Sequence, residues 1–229
     1  MPKSQRRPPM PYSKTYFTDF SSLIDNTIIQ KRLCEIPAER KERVETAKRI
    51  ETKASLLAAG LLLNTVMKKE FGLTDFAIKT GEHGKPYLIG QKDIHFNLSH
   101  SATVAVCTVS DTEVGVDIEK IDAPHDMMGI ANRFFSLLEC NAILMSPNPK
   151  EAFCRLWTLR ESYVKMRGTG FDIGLSSLRC DFHRGVCTIY EKEIPQHDAC
   201  FRELKAIHGY RGAVCTQGEC SEELCRIEI

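Results

Sequence analysis

One short segment holds two acidic side chains at strand spacing. In Gly115-Val-Asp-Ile-Glu119, Asp117 and Glu119 are two residues apart, so in a β-strand both project from one face while Val116 and Ile118 point to the core. Adjacent carboxylates repel each other, and a hard cation such as Mg²⁺ relieves that repulsion. The glycine would leave room for a ligand beside them. The spacing alone also fits an exposed strand face with two solvated acids.

A second segment places a third acid one helical turn from a lysine. In Trp157-Thr-Leu-Arg-Glu-Ser-Tyr-Val-Lys165, helical spacing puts Trp157, Glu161 and Lys165 on one stripe. A simple i,i+4 ion pair between Glu161 and Lys165 accounts for the same spacing. The other stripe is apolar and is predicted to face the core; its members are Leu156, Leu159, Tyr163 and Met166.

Two further segments carry groups that suit a phosphate. Phe96-Asn-Leu-Ser-His-Ser101, at the end of a predicted strand, offers the Ser99 hydroxyl and the His100 imidazole. A turn with a satisfied histidine is the alternative there. In Gly84-Lys-Pro-Tyr87, Lys85 lies in a predicted turn, where a lysine commonly has no role beyond solvation.

The elements that must position these groups follow from periodicity. Apolar residues recur at helical intervals through 37–70, and a second helical region runs through 134–138. A further helix is predicted at 151–167, closed by glycines. Alternating or β-branched runs predict strands at 94–98, 103–109, 113–119, 186–190 and 212–216.

This order of elements predicts an α+β fold with two similar lobes. Each lobe would be a small, mostly antiparallel sheet packed against helices, the two related by a pseudo-twofold duplication. The sequence Ala-Val-Cys-Thr at 105–108 recurs at 213–216, which supports duplication. We predict a flexible segment at 1–14, a first lobe at 15–111 and a second at 112–229, with the active site between the lobes.

Composition restricts the class of protein. The 229 residues include 31 Lys+Arg against 30 Asp+Glu, a balance that argues against a nucleic-acid-wrapping surface. With 42% hydrophobic residues the chain can bury a core. The longest apolar stretch, 56–63, is too short to span a bilayer. The ten cysteines include no CxxC pair, and no secretory signal is visible. These features favour a cytoplasmic protein with reduced, buried thiols and no membrane partner.

Taken in order, these motifs resemble the signature of the 4′-phosphopantetheinyl transferases. The segments at 115–119 and 157–165 carry the main resemblance, over roughly residues 37–175. Gly84-Lys-Pro86, the segment 96–101, and Arg133-Phe-Phe-Ser136 with Glu139 resemble the Sfp-type subgroup. The chain length suits the two-lobed monomeric form rather than the trimeric form of about half this size.

The resemblance implies a transfer reaction. Such enzymes move the phosphopantetheine arm of coenzyme A to a serine of an apo acyl or peptidyl carrier protein and release adenosine 3′,5′-bisphosphate. By similarity, Asp117, Glu119 and Glu161 would hold Mg²⁺. Glu161 would be the base, directly or through a metal-bound water, with Glu139 as the second choice. Lys165 would contact the pyrophosphate and stabilise charge in the transition state.

The resemblance also implies where the two substrates bind. Ser99 and His100 would hold phosphate oxygens, and Lys85 with Pro86 would line the nucleotide site. For the 3′-phosphate the match is loose, with Lys53 preferred and Arg40 next. The segment 121–150 would be the surface on which the carrier protein docks.

Two other classes of function stay open at this point. A catalytically silent relative would bind coenzyme A or a carrier protein without turnover. An unrelated Mg²⁺-dependent nucleotide hydrolase would use the same acids and would release product without any carrier protein.

Overall fold

The computed structural model describes residues 12–122, 126–170, 173–220 and 223–229. The α-helices of these residues are α1 Asn26–Arg32, α2 Ala38–Thr46, α3 Ile50–Phe71, α4 Met127–Phe134, α5 Leu137–Leu144 and α6 Pro149–Arg167. The strands are β1 Ser13–Asp19, β2 Ile78–Thr80, β3 Pro86–Leu88, β4 His95–Ser101, β5 Val104–Ser110, β6 Val114–Lys120, β7 Leu178–His183, β8 Val186–Glu191, β9 Ile194–Pro195, β10 Ala199–Glu203, β11 Tyr210–Gln217 and β12 Leu224–Arg226.

In the first lobe, the long helix α3 packs against an antiparallel sheet in the order β1-β5-β4. Each of the seven residues of β5 is buried, because this strand is paired on both edges and covered by helix. Leu57, Leu62 and Leu63 of α3 are fully buried against the sheet. Burial of this apolar area is the main stabilising term for the lobe.

The predicted single helix over 37–70 is two helices in the structure. The backbone is extended at Ala47 and Arg49, so α2 ends at Thr46 and α3 starts at Ile50. Neither glycine nor proline marks the break. Residues 47–49 include good helix formers, and tertiary packing overrides their propensity. Because of the break, α2 can turn its own face toward the interior and bury Val44.

The second lobe repeats the plan of the first. Its antiparallel sheet has the order β6-β11-β10, and α6 packs across β6 and β11. Helix and strand touch most closely at Gly115, where a Cβ atom would overlap the Ser162 carbonyl and the Met166 amide. The space beside this glycine is therefore occupied by α6 and not by a ligand, contrary to the sequence-based expectation.

The chain order confirms two similar α+β lobes. In each lobe the first strand (β1 or β6) is followed by three α-helices, a small separate sheet and then a hairpin (β4-β5 or β10-β11). The repeated Ala-Val-Cys-Thr segments lie on β5 and β11, the middle strands of the two sheets. The predicted boundary at 111–112 falls in the connection between β5 and β6.

Both ends of the chain depart from the predicted domain scheme. Strand β1 begins at Ser13, which pairs with Ser110, so 13–14 belong to the sheet and not to a flexible segment. Residues 1–11 lie outside the described residues. At the other end, β12 returns to the first lobe and pairs in parallel with β1, so the C-terminal strand is not part of the second lobe's sheet.

The ten cysteines carry free thiols. Six of them are buried, including Cys107 in the middle of β5. Within the described residues, no helix combines the length and the apolar character needed to cross a membrane.

Candidate functional site between the lobes

The acidic pair of β6 faces a pair of serines on β4, across the line where the two lobes meet. The Ser99 hydroxyl donates to Asp117 Oδ1 at 2.9 Å, and the Ser101 hydroxyl donates to Glu119 Oε2 at 2.8 Å. The two serines are two residues apart on β4, and the two acids are two residues apart on β6, so each set projects from one face of its strand. The predicted common face for the two acids is confirmed, since the intervening Ile118 is fully buried.

Lys165 of α6 completes this acid cluster. Its ammonium lies 2.7 Å from Asp117 Oδ1 and 3.1 Å from the Ser99 hydroxyl. Asp117 is only 4% exposed, and its other oxygen, Oδ2, is buried without a hydrogen-bond partner. A buried, unpartnered carboxylate oxygen is costly and points to a missing donor or cation.

The side chains near Asp117 only partly match a metal site. Among the described residues, no three His, Cys, Asp or Glu side chains are close enough together to hold a metal ion. The Lys165 ammonium supplies the positive charge next to Asp117 in this structure. The unpartnered Oδ2 atom is the feature that fits a cation bound there.

Two further acids near Asp117, Glu119 and Glu161, are half-buried, and both burial and the charge of Asp117 disfavour their ionised forms. Burial, followed by the negative charge of Asp117, raises the pKa of Glu119 above its ordinary value. The same two causes raise the pKa of Glu161, with Lys165 partly opposing them. A carboxylate with a raised pKa is a better proton acceptor than a solvated one, and added positive charge would stabilise its ionised form.

A cleft of about 280 Å³ opens beside the cluster. Among the described residues, its charged lining is mainly cationic and includes one carboxylate, that of Glu161. The lining residues with ionisable side chains are Arg40, Arg43, His83, Lys85, His100, Glu161 and Lys165. A cleft of this charge suits an anionic ligand.

Two arginines from α2 lie at the cleft, and Lys53 does not. Arg40 is 5% exposed, and its Nε has no hydrogen-bond partner. Burial, together with the charge of nearby Arg43, lowers the pKa of Arg40 to about 10, so it stays protonated at neutral pH. Lys53 lies on α3, away from the cleft lining. Sequence reasoning ranked Lys53 first and Arg40 second for the 3′-phosphate, and placed Arg43 below both.

Comparison with known proteins identifies the family. Residues 113–215 match the model of the 4′-phosphopantetheinyl transferase superfamily. A 4′-phosphopantetheinyl transferase of Bacillus subtilis is 33% identical over 196 residues, covering 81% of this chain and 84% of that protein. The chain belongs to the 4′-phosphopantetheinyl transferase superfamily. The transferase Sfp of Bacillus subtilis strain 168 is 30% identical, covering 79% of this chain and 81% of its own, so the Sfp-type resemblance is confirmed.

A further relative gives the same result. A 4′-phosphopantetheinyl transferase of Bacillus pumilus is 33% identical over 181 residues, covering 76% of this chain and 75% of that protein. The protein is therefore an enzyme, a 4′-phosphopantetheinyl transferase.

Of the residues predicted to bind coenzyme A, some line the cleft of the transferase and others do not. Lys85, Pro86 and His100 line it. Ser99 is buried in the acid cluster, where it donates to Asp117 instead of facing the cleft. Partial burial, and then the positive charge of Lys165, lowers the pKa of His100, so the imidazole is neutral near pH 7.

Glu139 lies outside both the cleft lining and the acid cluster. Its two carboxylate oxygens each lie 2.6 Å from Arg160 Nη2, and they accept from the amides of Cys180 and Ser136. With Ser136 it forms the capping box of α5. Burial opposes its ionisation, but the charge and hydrogen bonds of Arg160 lower the pKa of Glu139. This arrangement connects α5, α6 and β7 of the transferase.

Trp157 packs among aromatic side chains of α4 and α6. Its ring stacks on Phe153 at 5.9 Å and contacts Phe134 and Phe135 edge-on or tilted. This aromatic group fixes the C-terminal end of α4 against α6, and so helps to position Glu161 of the transferase.

Sequence reasoning missed several supporting residues of this enzyme. Asn97 accepts from the Val116 amide at 2.9 Å and so joins β4 to β6. Ser101 donates to Glu119, and Arg160 neutralises Glu139. Each contact joins residues 18 or more positions apart, and no local pattern reports such a pairing.

Proposed function

We propose that this enzyme transfers the 4′-phosphopantetheine arm of coenzyme A to a serine hydroxyl of an apo acyl or peptidyl carrier protein. Adenosine 3′,5′-bisphosphate leaves, and the reaction depends on Mg²⁺. The observation that carries the proposal is a mainly cationic cleft that is lined by Glu161 and Lys165, with the Lys165 ammonium also bound to buried Asp117. A polyanionic nucleotide and a divalent cation are the ligands that such opposed charges would neutralise.

The buried arginine of α2 is the strongest anchor for the 3′-phosphate. Arg40 has an unpartnered Nε, and Arg43 lies three residues along the same helix and lines the same cleft. Helical residues three apart lie on one face. Two guanidinium groups on one face match the charge and the oxygen geometry of a phosphate better than a single lysine does. We therefore assign the 3′-phosphate to Arg40 and Arg43 in place of Lys53.

Glu161 is the proposed base for the carrier serine. It lies on the cleft wall, and its pKa is raised by burial and by Asp117. The serine hydroxyl needs to lose its proton only as its oxygen attacks the phosphorus. Glu139, by contrast, has a lowered pKa and its oxygens are held by Arg160, Ser136 and Cys180. We therefore do not retain Glu139 as an alternative base.

Asp117, Glu119 and Glu161 are the proposed Mg²⁺ ligands. When bound, the ion would supply the positive charge that polarises the pyrophosphate and neutralises the leaving group. Lys165 would contribute a second positive charge to the pyrophosphate from one turn along α6. Ser99 and Ser101 would keep the two β6 carboxylates in orientation through their hydrogen bonds.

The carrier protein is proposed to dock on α4 and α5, within the predicted segment 121–150. Residues 123–125 of that segment lie outside the described residues. The surface of α5 and the residue after it carries four large apolar side chains that are 56–86% exposed: Leu137, Leu138, Leu144 and Met145. Apolar clusters of this kind on a soluble surface commonly mark protein interaction sites. The monomeric state, the cytoplasmic location and the absence of nucleic-acid and membrane partners remain predictions.

A mass assay tests the proposal. Incubation with coenzyme A, Mg²⁺ and an apo carrier protein should add about 340 Da to the carrier, the mass of the phosphopantetheine arm. Omitting the carrier should leave coenzyme A intact, which separates transfer from nucleotide hydrolysis. Asp117→Ala or a chelator should abolish the shift. Failure to modify any of a panel of acyl and peptidyl carriers would contradict the proposal.

A further inference from the structure

One lysine joins the β2-β3 turn of the first lobe to the end of α6 in the second. The Lys85 ammonium donates to the Met166 carbonyl at 2.7 Å and lies 2.5 Å from Glu113 Oε2. The lysine stem crosses Gly168 so closely that a Cβ atom there would lie 3.0 Å from Lys85 Cδ. The Lys85 side chain is only 18% exposed.

The contact with Met166 suits the end of a helix. The last four carbonyls of an α-helix have no partner within the helix, and a cation there is stabilising. Gly168 is the C-cap of α6, in the left-handed conformation with φ of 64°. Lys85 therefore satisfies a carbonyl in the last turn of the helix that also carries Glu161 and Lys165.

Glu113 holds the lysine from the opposite side. It lies just before β6, and its second oxygen is 3.1 Å from His95 Nδ1 of β4. Burial lowers the pKa of Lys85, and Glu113 counteracts that loss of charge. The hydrogen bond from His95, opposed by burial and assisted by that from Lys85, lowers the pKa of Glu113 to about 2, so it is ionised at working pH.

Glu113 does not line the cleft. It lines a neighbouring cavity of about 310 Å³ that shares Lys85, Pro86 and Gly168 with the cleft. Those three residues form the wall between the two cavities. Glu113 can therefore affect a ligand in the cleft only through that wall, and chiefly through the lysine it holds.

We propose that Glu113 is a positioning residue of the transfer reaction. It holds the Lys85 ammonium on the last turn of α6, and thereby fixes the wall of the cleft formed by the β2-β3 turn relative to Glu161 and Lys165. The proposal rests on the proposed function, because it takes coenzyme A to be the ligand of the cleft. Loss of Glu113 leaves Lys85 without its charge partner, and the wall loses its fixed position.

The test compares E113Q, K85M and the double variant, with E82Q as the matched control. Glu82 is an exposed acid of the same turn and does not line the cleft. In E113Q the KM for coenzyme A should rise about fivefold, the size expected for a partly exposed charge pair. The KM for the carrier should stay near wild type, and the melting temperature should fall by no more than about 2–4 °C, because a partly exposed ion pair contributes at most about 1 kcal/mol. E82Q should match wild type in each measurement.

The double variant tests whether Glu113 acts through Lys85. If it does, adding E113Q to K85M should change the KM for coenzyme A by less than twofold, because coupled residues are non-additive. Hydrogen exchange of the amides at 165–170 should accelerate in both single variants but not in E82Q. An unchanged KM in E113Q, or full additivity in the double variant, would overturn the proposal. So would a rise in both KM values together with a large fall in the melting temperature, because that pattern marks a general distortion of the fold.

Direct binding of coenzyme A, measured by calorimetry, separates this inference from the function itself. If the wild-type enzyme modifies no carrier, the proposed transfer fails. Weaker binding of coenzyme A by E113Q would still support the positioning of Lys85 by Glu113. Equal affinities of wild type and E113Q for coenzyme A would overturn the positioning role of Glu113, whatever the transfer assay shows.

Discussion

Glu139→Gln separates a structural role from a catalytic one. Glu139 forms an ion pair with Arg160, which is 0% exposed, and the carboxylate itself is 7% exposed. The substitution keeps the shape of the side chain but removes its charge. It also turns an amide NH₂ group toward the donors of Arg160, Cys180 or Ser136. The Arg160 charge is then buried without a counter-ion.

The expected cost follows from this burial. Removing one partner of a buried ion pair typically costs about 3–5 kcal/mol, because the remaining charge is uncompensated. In a chain of this size each kcal/mol lowers the melting temperature by about 2–4 °C. The melting temperature of E139Q should therefore fall by about 6–20 °C. Adding R160M should recover part of that loss, since it removes the isolated charge.

Thermal and urea denaturation of wild type, E139Q and E139Q/R160M would measure the effect. E193Q is the matched control, because Glu193 pairs with Arg179 on an exposed surface and is 78% exposed; its substitution should change stability by less than about 1 kcal/mol. The kcat of E139Q, measured at a temperature where it is folded, should lie within about tenfold of wild type. An unchanged melting temperature together with a kcat reduced a hundredfold or more would refute the structural role and identify Glu139 as the base.

Four other outcomes can be measured. Arg40→Met should raise the KM for coenzyme A by about 10–100-fold, the value of a hydrogen bond to a charged group. The penalty should vanish with coenzyme A that lacks its 3′-phosphate. Leu137→Glu and Met145→Glu should raise the KM for the carrier protein several-fold and leave that for coenzyme A unchanged, as steady-state kinetics would show. Without Mg²⁺, Glu161 should titrate above the ordinary glutamate pKa, because burial and then the charge of Asp117 raise its pKa; carboxyl NMR of wild type and Glu161→Gln would identify this titration, and added Mg²⁺ should lower its midpoint. Stability conferred by Glu113, whose pKa is about 2, is present above the ordinary glutamate pKa and lost as pH falls toward 2. Urea unfolding of E113Q should therefore depend less on pH over that range than unfolding of wild type.

The acid cluster was predictable because each part of it follows a local period. Strand alternation places Asp117 and Glu119 together and buries Ile118 between them. Helical spacing places Trp157, Glu161 and Lys165 on one stripe of α6, and these three side chains are half-buried as that pattern requires. The motif order also predicted the family correctly, since it joins these local patterns in sequence.

The cleft was only partly predictable, because its residues come from separate elements. Arg40 and Arg43 of α2 line it, whereas α3 lines it with Leu56 and Ala59 and not with Lys53. The chain breaks between these two helices at residues 47–49. No helix-stop residue marks that break. Packing of α2 against the core decides its position, and packing depends on residues distant in sequence.

The sequence by itself determined the two-lobed order of elements, the acids of β6 and α6, and the family to which the chain belongs. Only the tertiary structure decided that Ser99 donates a hydrogen bond to Asp117, that Glu139 forms an ion pair with Arg160, and that Lys85 caps α6. The physical reason is that a period of two or 3.6 residues sets which way a side chain points. Its partner is set by the pairing of remote strands and helices, which no single segment encodes.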